Sequence, residues 1–109
     1  MASYVTIEDW RDVEDGYVTD VTIRQTEAEK YPSGWDYALH LGEVGGEALL
    51  RYDNAHERTK GHERHIRGST ETIQFPGMLT LYERFKREAE AMSPVPWEWP
   101  EWPDRKSVV

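Results

Sequence analysis

The residues best suited to chemistry lie together in one segment, Arg51–Arg67. The segment contains three of the four histidines of the chain, namely His56, His62 and His65. Its five cations are Arg51, Arg58, Lys60, Arg64 and Arg67, against only three acids, which gives it a net charge of +2. The whole chain carries −8, so the other residues carry −10. Because imidazoles move protons near neutral pH and guanidinium groups bind phosphate, this segment is predicted to form a site.

Three kinds of site are compatible with these residue types. The first cleaves RNA by acid–base chemistry: histidines transfer protons at the attacking 2′-hydroxyl and the leaving oxygen, and cations hold the phosphate. The second is a metal site that uses two or three of the ligands Asp53, His56, His62 and His65. The third is a surface that binds nucleic acid or protein without catalysis.

Spacing decides only part of how these side chains meet. Arg51 and Asp53 are two residues apart on a predicted strand, so they project from the same face. His62 and His65 would share one side of a helix, but they would lie on opposite faces of a strand. The sequence alone therefore leaves open whether these two imidazoles converge.

Length and composition predict a single cytoplasmic domain. The chain has 109 residues and no cysteine, which excludes disulfides and thiolate metal sites. Residues 1–16 lack the basic and apolar regions of a secretory signal. No apolar run approaches the roughly 18–20 residues that span a bilayer, so no membrane partner is predicted.

The excess of acids has two interpretations. Twenty-one acids against thirteen bases are compatible with an ordinary acidic protein or with adaptation to a salt-rich cytoplasm, and we favour the halophile interpretation. At about 1 M salt the Debye length is roughly 3 Å. RNA would then be held by direct contact rather than attracted from a distance.

Alternating apolar and polar residues predict three consecutive strands, Gly16–Thr26, Trp35–Leu41 and Glu47–Asp53. The short loops between them indicate an antiparallel meander with one apolar and one polar face. Arg24 and His40 are expected on the same polar face as Arg51. A further strand is predicted within Glu63–Ile73.

A helix is predicted at Pro76–Met92, with an apolar stripe of Leu79, Tyr82, Phe85, Ala89 and Met92. The predicted fold is α+β: residues 1–92 form one domain, with an antiparallel sheet of three to five strands and one main C-terminal helix packed on one face. Residues 93–109 form a tail rich in proline and tryptophan. Its Trp97, Trp99 and Trp102 either fold back onto the domain or dock on a partner.

One pattern of residues resembles a known family. A strand ending in an Arg-Tyr-Asp-Asn-Ala-His run, a short loop, His-x-x-His and a C-terminal helix resemble the TumE toxins of prokaryotic toxin–antitoxin modules. The matching residues are Arg51, Tyr52, Asp53, Asn54, Ala55, His56, His62 and His65. The resemblance covers roughly Gly16 to Glu90. In the family a proline and a second histidine usually follow this motif, whereas this chain continues Ala-His-Glu.

The resemblance implies a toxin that is encoded beside an antitoxin with a DNA-binding domain, and RNA is the expected target. We predict an endoribonuclease that needs no cofactor or metal. His56 and His65 are expected to transfer protons, with His62 as substitute or positioner; Arg51 would contact the scissile phosphate, and Asp53 would orient Arg51 or a histidine. Flanking phosphates would be held by Arg58, Lys60, Arg64 and Arg67. The alternatives are a non-catalytic binding domain and a metal-dependent nuclease, and a homodimer is left open.

Overall fold

A computed structural model describes residues 2–100 of the chain. Six strands and two helices follow one another along these residues. They are β1 (Tyr4–Glu14), β2 (Tyr17–Thr26), β3 (Trp35–Glu43), β4 (Ala48–Asp53), α1 (Glu57–Lys60), β5 (His62–Ile66), β6 (Ser69–Ile73) and α2 (Met78–Met92).

The strands form one antiparallel sheet in the order β1-β2-β3-β4-β5-β6. The predicted antiparallel sheet with a C-terminal helix is confirmed, but the predicted number of three to five strands is wrong, since there are six. The region Glu63–Ile73 contains most of two strands rather than one. The other missing strand, β1, has few buried side chains and four acids, so it lacks a clear apolar period. Charges of this kind are common on edge strands, where they prevent pairing with other chains.

Two tight turns set the register of the outer hairpins. Asp15 and Gly16 join β1 to β2, and Arg67 and Gly68 join β5 to β6. All four residues have positive φ, between 46° and 87°, as two-residue hairpin turns of the mirror-image type require. Arg67 is therefore held at the tip of a hairpin, beside the start of β4, where its backbone N–H donates to the oxygen of Leu49 at 3.2 Å.

Helix α2 packs on one face of the sheet, against β3 and β4. It begins at Met78, two residues later than predicted, after Gly77. Its buried residues are Met78, Leu81, Tyr82, Phe85 and Ala89. Leu79 was wrongly placed in the apolar stripe, since it is 46 % exposed and Leu81 takes its position in the core. Within residues 2–100, neither helix is long and apolar enough to cross a membrane.

The chain after α2 folds back over the core. Val95 and Trp97 are buried, and the indole of Trp97 donates a hydrogen bond to the hydroxyl of Ser93 at 3.0 Å. Trp99 stands edge-on to Trp10 of β1 and to Phe85 of α2, with ring centroids 5.9 and 6.0 Å apart. These rings close the apolar side of the sheet. The third tryptophan of the predicted tail, Trp102, lies outside the described residues.

Candidate functional site

Among residues 2–100, no helix packs on the face of the sheet opposite α2, and a row of polar side chains crosses this open face. The backbone register places one residue from each strand in this row, in the order Arg11, Asp20, His40, Arg51, His65 and Thr70. Adjacent strands are about 4.8 Å apart, so consecutive members of the row are direct neighbours. Two histidines and two arginines are thereby aligned on one surface. We call this set of six residues the cross-strand row.

Asp53 links Arg51 to His65 in the middle of the open face. The Nε of Arg51 donates a hydrogen bond to Oδ2 of Asp53 at 2.8 Å, and Nε2 of His65 lies 3.4 Å from the same oxygen. The Asp53 side chain is 10 % exposed, whereas Arg51 and His65 are 44 % and 34 % exposed. A well-anchored carboxylate thus holds a guanidinium and an imidazole whose outer surfaces are open to a ligand.

Thr70 and Ala55 also contact the cluster formed by Arg51, Asp53 and His65. The Thr70 hydroxyl is 2.9 Å from Nδ1 of His65, and the backbone N–H of Ala55 donates to Oδ1 of Asp53 at 3.3 Å. When Nε2 carries the proton of neutral His65, Nδ1 accepts the hydrogen bond from Thr70. Thr70 thus orients the imidazole, and the Asp53 carboxylate lies beside its other nitrogen.

His40 lies on the other side of Arg51, directly across from it on β3. Burial lowers the pKa of His40, and the nearby cations Arg51 and Arg11 lower it further, while Asp20 acts in the opposite direction. These effects favour the neutral form of the imidazole. Alternation along β3 had placed His40 on the polar face, but sequence reasoning did not include it in the site.

Two shallow grooves meet at Arg51. One is lined by Glu47, Ala48, Arg51, His65, Arg67 and Gly68, and the other by Asp20, Thr22, Ala38, His40 and Arg51. A ligand bound at Arg51 would contact the walls of both grooves. One groove presents His65 to it, and the other presents His40.

Asn54, the residue that follows β4, is buried and holds the end of that strand in place. The side chain of Asn54 accepts a hydrogen bond from the backbone N–H of Tyr37 at 3.0 Å and donates to the backbone oxygen of Trp35 at 2.6 Å. It thus continues the β3–β4 ladder beyond the last residue of β4. It also donates to Oε1 of Glu57 at 2.7 Å. This amide fixes the strand end from which Asp53 projects.

Glu57 is a structural residue that sequence reasoning missed. Its carboxylate accepts hydrogen bonds from Asn54 and from the backbone N–H and hydroxyl of Ser33, the latter two at 2.7 Å each. Its side chain is only 7 % exposed. The only sequence evidence for this role was its position three residues after Asn54, because side chains at that spacing can meet across a turn. Glu57 ties the loop before β3 to the loop after β4.

His62 lies on the opposite face from His65 and is part of the core. It is 8 % exposed and stacks on Phe75 with ring centroids 4.3 Å apart. The Tyr37 hydroxyl is 2.8 Å from its Nδ1, and Oε1 of Glu57 is 3.7 Å from its Nε2. Because the two histidines are three residues apart on strand β5, their side chains point to opposite faces of the sheet. The structure therefore does not bring His62 to Arg51, Asp53 and His65.

Stability should fall between about pH 7 and pH 5 because His62 is buried. Burial lowers its pKa below the ordinary 6.5, although the charge of Glu57 acts in the opposite direction. The unfolded chain then binds the proton more readily, so stability is present above the unfolded pKa and declines as the pH falls through it. Urea unfolding across this range measures the slope. The slope should be smaller in His62→Phe, and an unchanged slope in that variant would contradict this origin.

The remaining predicted residues are distributed around the site. His56, Arg58 and Lys60 are exposed at or within α1, and the His56 side chain does not cap that helix. Arg67 is exposed at the β5–β6 turn and lines the groove beside His65. The structure thus leaves these four side chains at the surface, with only Arg67 bordering the grooves at Arg51.

Arg64 faces the helix rather than the open side. Its guanidinium contacts the carboxylate of Glu88 on α2 at 2.7 Å and the hydroxyl of Tyr52 at 3.0 Å. The hydrogen bond to Glu88 is the main cause that raises the pKa of Arg64. Burial alone would raise the pKa of Glu88, but the hydrogen bonds from Arg64 and Tyr52 outweigh it and lower the pKa. This partly buried ion pair fastens α2 to the sheet.

One group of side chains has the composition of a metal site. Ligand atoms of Asp53, Glu63 and His65 all lie within 4.8 Å of one another. Of the four metal ligands considered from the sequence, only Asp53 and His65 belong to this group. The Arg51 guanidinium, which is hydrogen-bonded to Oδ2 of Asp53, would oppose a cation there.

The fold and the site together define a class: a small α+β domain with a helix packed on one face of a meander sheet and an Arg–Asp–His cluster on the other. The family model described as Toxin TumE matches residues 4–93. The chain belongs to this toxin family, and its family implies a cognate antitoxin as partner. No curated protein and no solved structure matches the chain.

Proposed function

We propose that this toxin is an endoribonuclease whose active site is the Arg51–Asp53–His65 cluster. The single observation that carries the proposal is that one anchored carboxylate oxygen contacts both the guanidinium and the imidazole on an exposed surface. This arrangement provides a phosphate-binding cation and a proton carrier at fixed separation. Those are two of the groups that cleavage by the neighbouring 2′-hydroxyl requires.

Each residue of the cluster has a distinct role in this proposal. Arg51 binds the non-bridging oxygens of the scissile phosphate and stabilises the charge that develops on them. His65 transfers a proton through Nδ1, where the substrate oxygen replaces the exposed Thr70 hydroxyl. Asp53 orients both groups and gives an imidazolium at His65 an anionic partner. Arg67, at the rim of the groove, is placed to hold a neighbouring phosphate, and exposed Arg58 and Lys60 extend the positive surface along α1.

The reaction needs a second proton carrier. His56, exposed three residues after Asp53, is the candidate that the sequence favours. Arg64, by contrast, is engaged with Glu88 and has no role in RNA binding in this proposal. We further propose that the cognate antitoxin carries a DNA-binding domain.

The test is RNA cleavage by the purified protein at roughly physiological and roughly molar KCl, because the two ionic strengths separate long-range attraction from direct contact. Wild type should cleave RNA in the presence of EDTA, whereas His65→Ala should lower the rate by about 10²–10⁴-fold. Arg87→Ala is a matched control, since Arg87 is exposed on α2, on the other side of the sheet. RNA binding without cleavage by the folded wild type would instead support a non-catalytic binding domain.

A metal-dependent nuclease is the second candidate, and the group Asp53, Glu63 and His65 is the observation in its favour. Here Glu63→Gln separates the two mechanisms. Loss of a metal ligand should abolish metal-dependent cleavage, whereas in the metal-free reaction Glu63 is only a neighbouring charge, 4.0 Å from Nε2 of His65, and its loss should change the rate much less. Three results together would support metal catalysis instead: cleavage stops in EDTA, it returns with Mn²⁺ or Zn²⁺, and it is lost in Glu63→Gln.

A further inference from the structure

We propose that His40 is the second proton carrier of the RNA cleavage reaction, on the opposite side of Arg51 from His65. This inference rests on the endoribonuclease function proposed above and adds a catalytic residue to it. In this assignment His40 takes the proton from the attacking 2′-hydroxyl, and His65 protonates the leaving 5′-oxygen.

The register of the sheet carries the argument. His40 on β3 and His65 on β5 are both paired with Arg51 on β4, one on each side. Two strand spacings of about 4.8 Å separate their backbones by roughly 10 Å. Arg51, which would hold the phosphate, therefore stands between the two histidines in the register of the sheet. An in-line displacement has its attacking and leaving oxygens on opposite sides of the phosphorus, and proton carriers on opposite sides of Arg51 suit such a reaction.

His56 is less well placed for the same role. It follows the end of β4 and precedes α1, so it is not a member of the cross-strand row. His40 instead lines one of the two grooves that meet at Arg51, and His65 lines the other. The two grooves give a bound RNA strand a surface on each side of the scissile phosphate.

The surroundings of the two histidines suit opposite roles. His40 is faced by Arg51 on β4, Arg11 on β1 and Asp20 on β2; burial and the two cations together lower its pKa, which favours the neutral form that a base needs. His65 contacts the Asp53 carboxylate, which is a suitable partner for the cationic form that an acid needs. Dissimilar environments for two titratable groups are a common basis for acid and base assignments.

The proposed step is balanced in atoms and charge. The 2′-oxygen forms a bond to phosphorus as its proton passes to His40, and the bond from phosphorus to the 5′-oxygen breaks as that oxygen takes a proton from His65. The products are a 2′,3′-cyclic phosphate and a 5′-hydroxyl. The proton gained by His40 and lost by His65 returns through solvent.

Gly42 provides the space that the His40 imidazole occupies. A Cβ added at Gly42 would lie 2.8 Å from Nε2 of His40 and 3.2 Å from the backbone oxygen of Glu47. Because the imidazole is the closer contact and a side chain moves more easily than the hairpin backbone, the imidazole makes the larger shift, and the Glu47 oxygen gives by a few tenths of an ångström. Gly42→Ala therefore displaces His40 without changing its chemistry, which makes it a second, independent variant.

The experiment compares two substrates: a ribodinucleotide, and a nucleoside 3′-(4-nitrophenyl phosphate) whose leaving group needs no proton. Loss of a general base slows both reactions, whereas loss of a general acid slows only the first. His40→Gln should lower both rates by about 10²–10⁴-fold, and His65→Gln should lower mainly the dinucleotide rate. Gly42→Ala should lower both rates as well. In His40→Gln the rise in rate with pH on the acidic side of the profile should disappear.

Wild-type rates in both His40→Gln and Gly42→Ala would overturn the proposal. So would loss of both reactions in His56→Ala while His40→Gln remains active. A folded wild type that cleaves neither substrate would be a failure of the endoribonuclease function itself, and it is recognised before any variant is measured. Thermal unfolding of each variant establishes that the rates compare folded proteins.

Discussion

Replacing Arg51 with alanine is expected to lower the rate of RNA cleavage by about 10²–10³-fold, as removal of one transition-state donor commonly does. Arg51 is the residue that both grooves share and that both histidines of the row flank. Its side chain is 44 % exposed, so its ion pair with Asp53 contributes only about 0–1 kcal/mol to stability. The variant should therefore fold normally and fail in catalysis, which single-turnover kinetics and urea unfolding would show together.

Two matched variants define what Arg51 contributes. Arg51→Lys keeps the charge but loses the planar fork that binds two phosphate oxygens, and an intermediate rate is expected. Arg87→Ala removes an exposed arginine on α2 and should leave the rate unchanged. Equal losses in Arg51→Ala and Arg87→Ala would indicate a general effect of charge, and the role assigned to Arg51 would then be wrong.

Asn54→Ala should have the largest effect on stability, a decrease of about 3 kcal/mol in the free energy of unfolding. Asn54 is fully buried and bonds the backbone of Tyr37, the backbone of Trp35 and the carboxylate of Glu57. Alanine would remove one hydrogen bond from each of these three groups, although Glu57 would keep its two from Ser33. Each buried group left unpaired costs about 1–3 kcal/mol before relaxation. Urea unfolding at neutral pH measures the change.

The matched control for Asn54 is Gln74→Ala, which removes a carboxamide from an exposed position. Its free energy of unfolding should stay within about 0.5 kcal/mol of wild type. A decrease in Asn54→Ala no larger than in this control would show that the amide network does not hold the strand end. Because Asp53 projects from that end, cleavage by Asn54→Ala should also fall where the variant is still folded.

The central strands could be predicted from the sequence because their burial is one-sided. In β2 and β3, residues such as Val21, Ile23 and Leu39 alternate with polar neighbours, and alternation of this kind is visible without knowing the partners. Strand β1 does not show this alternation, since most of its side chains are exposed at the sheet edge. The Asp15–Gly16 pair was the available evidence for a hairpin there, because such pairs favour a two-residue turn.

The site was only partly predictable because it depends on pairing between distant strands. Spacing of two placed Arg51 and Asp53 on one face, and the structure has them hydrogen-bonded. Whether His65 joins them depends on how β5 pairs with β4, and the His-x-x-His spacing is equally compatible with a helical turn. The position of His40 across from Arg51 is likewise a matter of register, which no single strand specifies.

The division of the Arg51–Asn54 run into two faces explains why the run resembles a motif. Arg51 and Asp53 face the open side, where we place the chemistry. Tyr52 faces the core, where its hydroxyl donates to Glu88 of α2, and Asn54 closes the β3–β4 ladder. Function and support therefore alternate along one strand. Substitutions at the outward positions should change activity, and those at the inward positions should change stability.

The most direct test of the central claim is to identify the products of RNA cleaved by wild-type protein in EDTA. A substrate with a single 2′-deoxy nucleotide at the cleavage position serves as the matched control. We predict a 2′,3′-cyclic phosphate and a 5′-hydroxyl from the ribose substrate and no cleavage at the deoxy position. Products with a 5′-phosphate, cleavage at the deoxy position, or intact RNA after incubation with folded protein would contradict an acid–base endoribonuclease on the open face of this sheet.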